Sequence, residues 1–328
     1  MAIFSFVICT RNSQRVLRDV INSVLNQTDR ASILQIILVD YKSTDLTIDI
    51  AMEMLQESNI ELIILKCHLP GKSAAIIEGF NKANGKYIVV LDDDNVLSLN
   101  YISNAKRLIE NPNVGCVGAM GIVDSNLILP DWFSVYKGVY AIGMPVASMS
   151  VDSVWGAAAL IKKEAWDKLY RNGFKFELNP ARESHSSPIS IGGEDGEISI
   201  AIKMIGYKVF YSDTLQFTHK FEQKRLSKEY LLQNTFGSTR AVPIIDIYGL
   251  FIHHNKSRVP YFIWTTISTK RIIGSYVRAL IYAVLGKSLE FKYQLVRGEA
   301  LICGYSDAKY SFKTIYKRLE KILESQSV

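Results

Sequence analysis

Three adjacent carboxylates, Asp92-Asp93-Asp94, close the apolar run Tyr87-Ile88-Val89-Val90-Leu91. The run reads as a fully buried strand, which puts the acids at its carboxyl end. Neighbouring anions repel one another, and a chain that only had to fold would be better served by one. A hard divalent cation removes the penalty. Mg²⁺ or Mn²⁺ takes oxygen ligands from one or two carboxylates and fills its shell with phosphate oxygens and water. Asp92 and Asp94 have the spacing to aim two carboxylates at one such ion. A solvated acidic turn is the plainer alternative, and the company the triplet keeps has to decide between them.

The surrounding elements give it company. Residues 1–120 alternate strand and helix patterns: strands are predicted at Phe4–Cys9, Ile33–Val39, Glu61–Lys66 and Lys86–Leu91. Helices are predicted at Gln14–Leu25, Leu46–Glu57 and Ser73–Asn84, the second with Ser43 or Thr44 as its cap. Repeated units of this spacing predict an α/β fold, a mostly parallel sheet with helices on both faces. Ligands of such sheets bind beyond the carboxyl ends of the strands. Thr10, Asp40 and Asp92–Asp94 all fall there. Further on, Val114–Met120, Trp155–Ile161 and Tyr207–Tyr211 read as strands, and Lys163–Asn172 and Ile198–Ile205 as helices. Pro130–Gly143 reads as an aromatic-rich loop or short helix, and Leu178–Gly193, rich in Ser, Pro and Gly, as a mobile loop.

At 328 residues, with 48% hydrophobic and 21% charged residues, the chain is globular and exceeds one typical domain. A main domain over 1–222 and a helical region over 223–328 are expected. The start of the chain runs into Thr10-Arg11-Asn12 without a basic leader, which predicts a first strand, not a signal peptide. Cys9, Cys67, Cys116 and Cys303 are scattered without metal-ligand spacing and read as reduced thiols of a cytoplasmic protein. The net charge of +6 is unevenly spread: residues 1–219 carry −4 and residues 220–328 carry +10. Apolar stretches within the basic third, Val259–Ser268 and Ile272–Gly286, fall short of the roughly 20 residues of a spanning helix. Basic and aromatic residues so mixed suit helices lying on the inner face of a membrane. A subunit interface of a homo-oligomer, or packing on the main domain, would use them as well; no nucleic-acid partner is expected.

In this order the segments resemble the family 2 glycosyltransferases of the GT-A fold, over about residues 1–222. Phe6-Val7-Ile8-Cys9-Thr10-Arg11-Asn12 is similar to that family's first strand, and Ile37-Leu38-Val39-Asp40-Tyr41-Lys42-Ser43-Thr44-Asp45 to its second. Gly71 to Gly79, the D-x-D of Asp92 and Asp94, and Gly193-Glu194-Asp195 follow in the family's order. The resemblance implies donor contacts from Thr10, Arg11, Asp40, Asp92 and Asp93, with Asp40 accepting from a uracil-like base. It implies a divalent metal, Mn²⁺ or Mg²⁺, held by Asp94 and Asp92 with His219. The family's Arg-Asn pair is Ile76-Ile77 here, and Lys72 in the same loop would supply the missing positive charge.

The implied reaction is transfer of a sugar from a nucleotide-diphospho sugar, a UDP-sugar favoured, to a hydroxyl of a glycan or lipid-linked acceptor, with inversion. Asp195 is the expected general base, at a helix start that stabilises its anion. Glu194, Trp155 and Trp132 would contact sugar hydroxyls or faces, while Lys220, Lys224 and Arg225 would meet the diphosphate or an anionic acceptor. Glu197 is expected on the helix surface. Two alternatives stay open: a sugar-1-phosphate nucleotidyltransferase, which Thr10–Gln14 disfavours for want of glycines, and an inactive sugar-nucleotide-binding scaffold.

Overall fold

The computed structural model describes residues 2–144, 152–178, 192–254 and 261–324. Its first strand, β1 (Phe4–Thr10), is buried along almost its whole length, and successive side chains enter different cores. Phe4, Phe6 and Ile8 join one hydrophobic cluster and Val7 the other. Neighbouring β2 (Ile33–Asp40) divides likewise, Ile36 and Leu38 against Ile37 and Val39. Strands covered on both faces need apolar residues at consecutive positions, which is why these segments read as runs.

Helix α1 (Leu17–Leu25) lies between β1 and β2, and α2 (Thr47–Leu55) leads to β3 (Glu61–Lys66). Then come α3 (Lys72–Lys82), β4 (Tyr87–Asp92), β5 (Asn95–Leu97), α4 (Tyr101–Leu108) and β6 (Val114–Val123). The short α5 (Phe133–Tyr136), β7 (Ala159–Lys162), α6 (Lys163–Arg171), α7 (Glu194–Met204) and β8 (Lys208–His219) complete the sheet region. Among the described residues, α8 (Lys228–Arg240), α9 (Val242–His253), α10 (Tyr261–Val284) and α11 (Ser288–Glu324) follow.

The strands form one sheet in the order β3-β2-β1-β4-β7-β6-β8-β5. Pairings from β3 to β4 and between β6 and β8 are parallel, and those of β5 and β7 antiparallel. One core lies under α1, α2 and α4. The other takes residues of α3, α6 and α7 together with Tyr248, Trp264, Phe312 and Tyr316 from the C-terminal helices. Helix α3 comes so close to the sheet that a Cβ on Gly79 would stand 2.4 Å from a Val7 methyl.

Several expectations change. Strand β7 begins only at Ala159, because Trp155 donates its backbone N–H to the Tyr211 hydroxyl (2.8 Å) and Ala158 turns the chain at φ +51°. Neither Ser43 nor Thr44 caps α2. Asp45 Oδ1 accepts the Thr47 N–H (3.0 Å), while Ser43 Oγ takes the Asn12 N–H (2.9 Å). Strand β8 runs on to His219, and β5 and α4 are elements the sequence pattern did not reveal. The loop expected over 178–193 lies, but for its ends, outside the described residues.

Candidate active site

Strand register brings the polar ends together. Thr10 is level with Asp40 across β1 and β2, and Cys9 with Asp92 across β1 and β4. After the Asp92–Asp94 turn the chain enters β5, whose Asn95 pairs with His219 of β8. Lys220 N–H then donates to the Asp94 carbonyl (2.7 Å), fixing the third aspartate beside the histidine. A cleft of about 560 Å³ opens over this edge. Thr10, Arg11, Lys72, Asp92, Asp93, Asp94 and His219 all line it.

The three aspartates have different partners. Asp92 accepts from Lys72 Nζ, at the first turn of α3, and Lys72 lies 4.0 Å from Glu194 Oε1. Burial pulls the Lys72 pKa down, but the Asp92 and Glu194 charges hold it well above the usual lysine value. Asp93 turns back on the first loop, accepting from Ser13 Oγ, from Thr10 Oγ1 (2.7 Å) and from the Arg11 N–H (3.4 Å). Burial raises its pKa. Asp94 Oδ2 lies 3.0 Å from an Arg225 NH group and 3.3 Å from His219 Nε2. Burial pulls Asp94 upward, yet the His219 hydrogen bond and the His219 and Arg225 charges keep it below the ordinary carboxylate range.

The tautomer of His219 follows from its other side. Nδ1 stands 2.9 Å from the Tyr140 carbonyl oxygen, which can only accept, so Nδ1 carries a proton. Nε2, facing Asp94, is left with either a second proton or a lone pair aimed at a cation. Asp94 and His219 are therefore a donor pair that suits a hard or borderline divalent ion. Among the described residues no three His, Cys, Asp or Glu side chains are grouped to hold a metal ion by themselves. Cys9 also lines the cleft, but burial pushes its thiol up to about 12, so it is no thiolate.

Asp195 occupies a second, apolar recess shared with Lys72, Ile76, Trp155 and Gly156. Gly193, at φ +109°, turns the chain into α7, and Asp195 falls in the first turn. Its Oδ2 accepts the Gly156 N–H (2.6 Å), and a Cβ on Gly156 would stand 2.9 Å from that of Asp195. Only glycine allows this approach. Glu194 is buried beside Lys72, with its pKa raised by burial and by the Asp195 charge. Trp155 stands edge-on to Tyr211 at 5.4 Å and lines the recess.

Other sequence candidates lie elsewhere. Asp40 is not among the residues that line the cleft, although Val39 and Tyr41 are, and its carboxylate accepts from the Ser43 N–H (3.2 Å). Trp132 belongs to a separate aromatic cluster, 6.5 Å from Tyr136. Lys220 pairs with Asp19 (2.8 Å) and Lys224 with Glu222. Glu197 corrects an expectation: it is fully buried, accepting from the Glu177 N–H (2.8 Å), the Leu178 N–H (3.0 Å) and the Tyr248 hydroxyl (2.8 Å). It faces inward because α9 covers that side of α7. Tyr41, Tyr230 and Asn234 line the cleft without having been singled out. Tyr41 directly follows Asp40 and packs beneath the Arg11 guanidinium at 5.4 Å. Tyr230 and Asn234, one turn apart on α8, carried no local signal.

The model of the family described as glycosyl transferase family 2 matches residues 5–169, half of the chain. No curated protein sequence matches significantly. Among solved structures, the mannosyltransferase PcManGT from Pyrobaculum calidifontis, in complex with GDP-Man and Mn²⁺, is similar at TM-score 0.54 and 16% identity. That likeness covers 98% of this chain and 84% of the other. TarS 1–349 of S. aureus is similar at TM-score 0.50 and 13% identity, over 90% of each chain. At these identities the likeness is one of fold.

Proposed function

The chain belongs to glycosyl transferase family 2 and is a glycosyltransferase, and we propose that it is an inverting, metal-assisted enzyme using a nucleotide-diphospho sugar. The observation that carries the reading is the convergence of Thr10, Arg11, Lys72, Asp92, Asp94 and His219 on one cleft. Asp94 and His219, with Asp92 beside them, would hold Mn²⁺ or Mg²⁺, which in the PcManGT complex accompanies GDP-Man as Mn²⁺. When bound, such an ion supplies positive charge to the leaving diphosphate. Arg225 and Lys72 add fixed charge on the same side. Lys72 thereby serves where Ile76-Ile77 leave the usual cation out.

The nucleoside would lie by Thr10, Arg11 and Tyr41, its base near Asp40, and a uracil with its single ring N–H suits that carboxylate. Asp195 takes the proton of the acceptor hydroxyl. The hydroxyl oxygen forms the new bond to the anomeric carbon as the bond to the diphosphate oxygen breaks on the opposite side, so configuration inverts. Glu194 and Trp155 orient sugar hydroxyls and ring. The acceptor is a glycan or lipid-linked glycan, met by a cytoplasmic enzyme at the inner membrane face through residues 223–328. Family membership leaves the nucleotidyltransferase alternative without support.

Calorimetric titration of UDP, GDP and dTDP, with and without Mn²⁺, tests the donor site on wild type and Asp94→Ala. Metal-dependent binding of one nucleotide, lost in the variant, is the expected result. No binding under any condition would overturn the reading in favour of a scaffold.

A further inference from the structure

The second half of helix α10 turns its aliphatic side chains outward, while Trp264 near its start is buried in the core. Its buried positions include Ser268, Ser275 and Ala279, small residues that let it approach α11 closely. Ser275 Oγ donates to the Gln294 carbonyl (2.9 Å), and a Cβ on Gly298 would come within 2.8 Å of the Tyr276 ring. On the opposite side, Ile273, Val277, Leu280, Ile281 and Val284 are 48–88% exposed. At 100° per residue they span an arc of about 100° and a length of about 16 Å. An ordinary surface helix has the reverse arrangement, and packing inside this chain does not require these aliphatics.

Charge decides what covers them. From Lys270 to Arg297 the chain carries Lys270, Arg271, Arg278, Lys287, Lys292 and Arg297 against the single acid Glu290. Of these, Arg271 is paired with Asp246 at 2.9 Å. A second copy presenting the same face would set cations against cations. An anionic lipid surface complements both the apolar stripe and its basic flanks. No helix among the described residues is long and apolar enough to cross a membrane, so the contact is with the surface.

We propose that α10 is the membrane-contact face of this protein, its Ile273–Val284 stripe lying at the headgroup boundary of an anionic bilayer. From the stripe the chain leads through one aromatic cluster toward the cleft. Just beyond the α10–α11 turn, Leu289 and Tyr293 pack on the cluster of Phe133, Tyr136 and Tyr140, and the Tyr140 carbonyl holds His219. A hydroxyl acceptor carried on a lipid would be presented from that side. This last step rests on the proposed glycosyl transfer, whereas the lipid contact does not.

The test is co-sedimentation of the full chain with phosphatidylcholine–phosphatidylglycerol vesicles and with phosphatidylcholine vesicles alone. Wild type is expected to bind the mixed vesicles, less so as salt rises. Val277→Ser/Leu280→Ser/Val284→Ser and Lys270→Glu/Lys287→Glu should each weaken binding by about tenfold or more. These side chains are exposed, so unchanged thermal unfolding and nucleotide titration would confirm intact variants. Absent vesicle binding, or equal binding by wild type and both variants, would overturn the proposal. A wild-type dimer in light scattering that the serine variant converts to monomer, without vesicle binding, would assign the face to a second copy instead. Vesicle binding without nucleotide binding would overturn only the donor-site reading.

Discussion

Half-buried carboxylates in the cleft and the fully buried Glu197 of α7 have partners that differ in kind. On the cleft side, Asp92 and Asp94 face Lys72, His219 and Arg225, groups that a diphosphate can pair with and a metal can replace. On the core side, Glu197 faces two backbone N–H groups and the Tyr248 hydroxyl. Those donors are neutral and fixed. Cationic partners hold Asp94 below the ordinary range, whereas burial pushes Glu197 up to about 7 despite its hydrogen bonds. A carboxylate kept charged by cationic side chains at an open cleft can exchange one of them for a metal ion. One caged by neutral donors fastens the chain: Glu197 ties α7 to residues 177–178 and to α9, and Glu177 in turn pairs with Arg318 of α11.

The sharpest way to break this contrast is at Asp195, in the apolar recess that shares Lys72 with the cleft. Asp195→Asn is expected to lower the rate of sugar transfer by about a thousandfold while nucleotide affinity stays within about twofold. Affinity falling in step with rate would make Asp195 a binding group. Next in size, Asp94→Ala should weaken Mn²⁺-dependent nucleotide binding by about a hundredfold, with thermal stability little changed. On the core side the effects reverse. Glu197→Ala leaves two N–H groups and a hydroxyl without their acceptor and should cost about 2 kcal/mol of stability, read by urea unfolding. Its nucleotide affinity should match wild type.

How much of this was legible depended on the distance over which each fact is decided. The ends of β1, β2 and β4 were visible because a two-sided strand forces an apolar run and a polar residue ends it: Thr10, Asp40 and Asp92 needed no tertiary knowledge. The acids of α7 were visible as a group, but not their directions. Asp195 and Glu197 lie about 200° apart around a helix, and what covers each side comes from Gly156, Tyr248 and the 177–178 segment. His219 meets Asp94 only through the β5–β8 pairing, and three-residue β5 has no periodicity to read. The Ile272–Gly286 stretch suited a membrane surface, a subunit interface or packing on the main domain alike, and only the structure shows Ile273, Val277, Leu280, Ile281 and Val284 exposed with Ser275 and Ala279 buried.

The smallest effect sharpens the comparison by pH. Glu197 has its pKa raised from 4.5 to about 7, chiefly by burial, so near neutral pH the folded chain binds a proton that the unfolded chain has released. Its contribution to stability is therefore complete below pH 4.5 and is lost as pH rises through about 7. The decline for one such group cannot exceed about 1.4 kcal/mol per pH unit. Glu194, also raised by burial, adds a decline of the same sign from the cleft side. Unfolding of wild type, Glu197→Gln and Glu194→Gln across this range separates the two, since each neutral variant should remove its own share of the slope. Added nucleotide with Mn²⁺ should then alter the slope of Glu197→Gln, in which the cleft-side acid still titrates. It should leave that of Glu194→Gln unchanged, because nothing that enters the cleft reaches the Glu197 cage. An equal response in both variants would mean that the cleft and the Glu197 cage are one coupled site, and the contrast would fail.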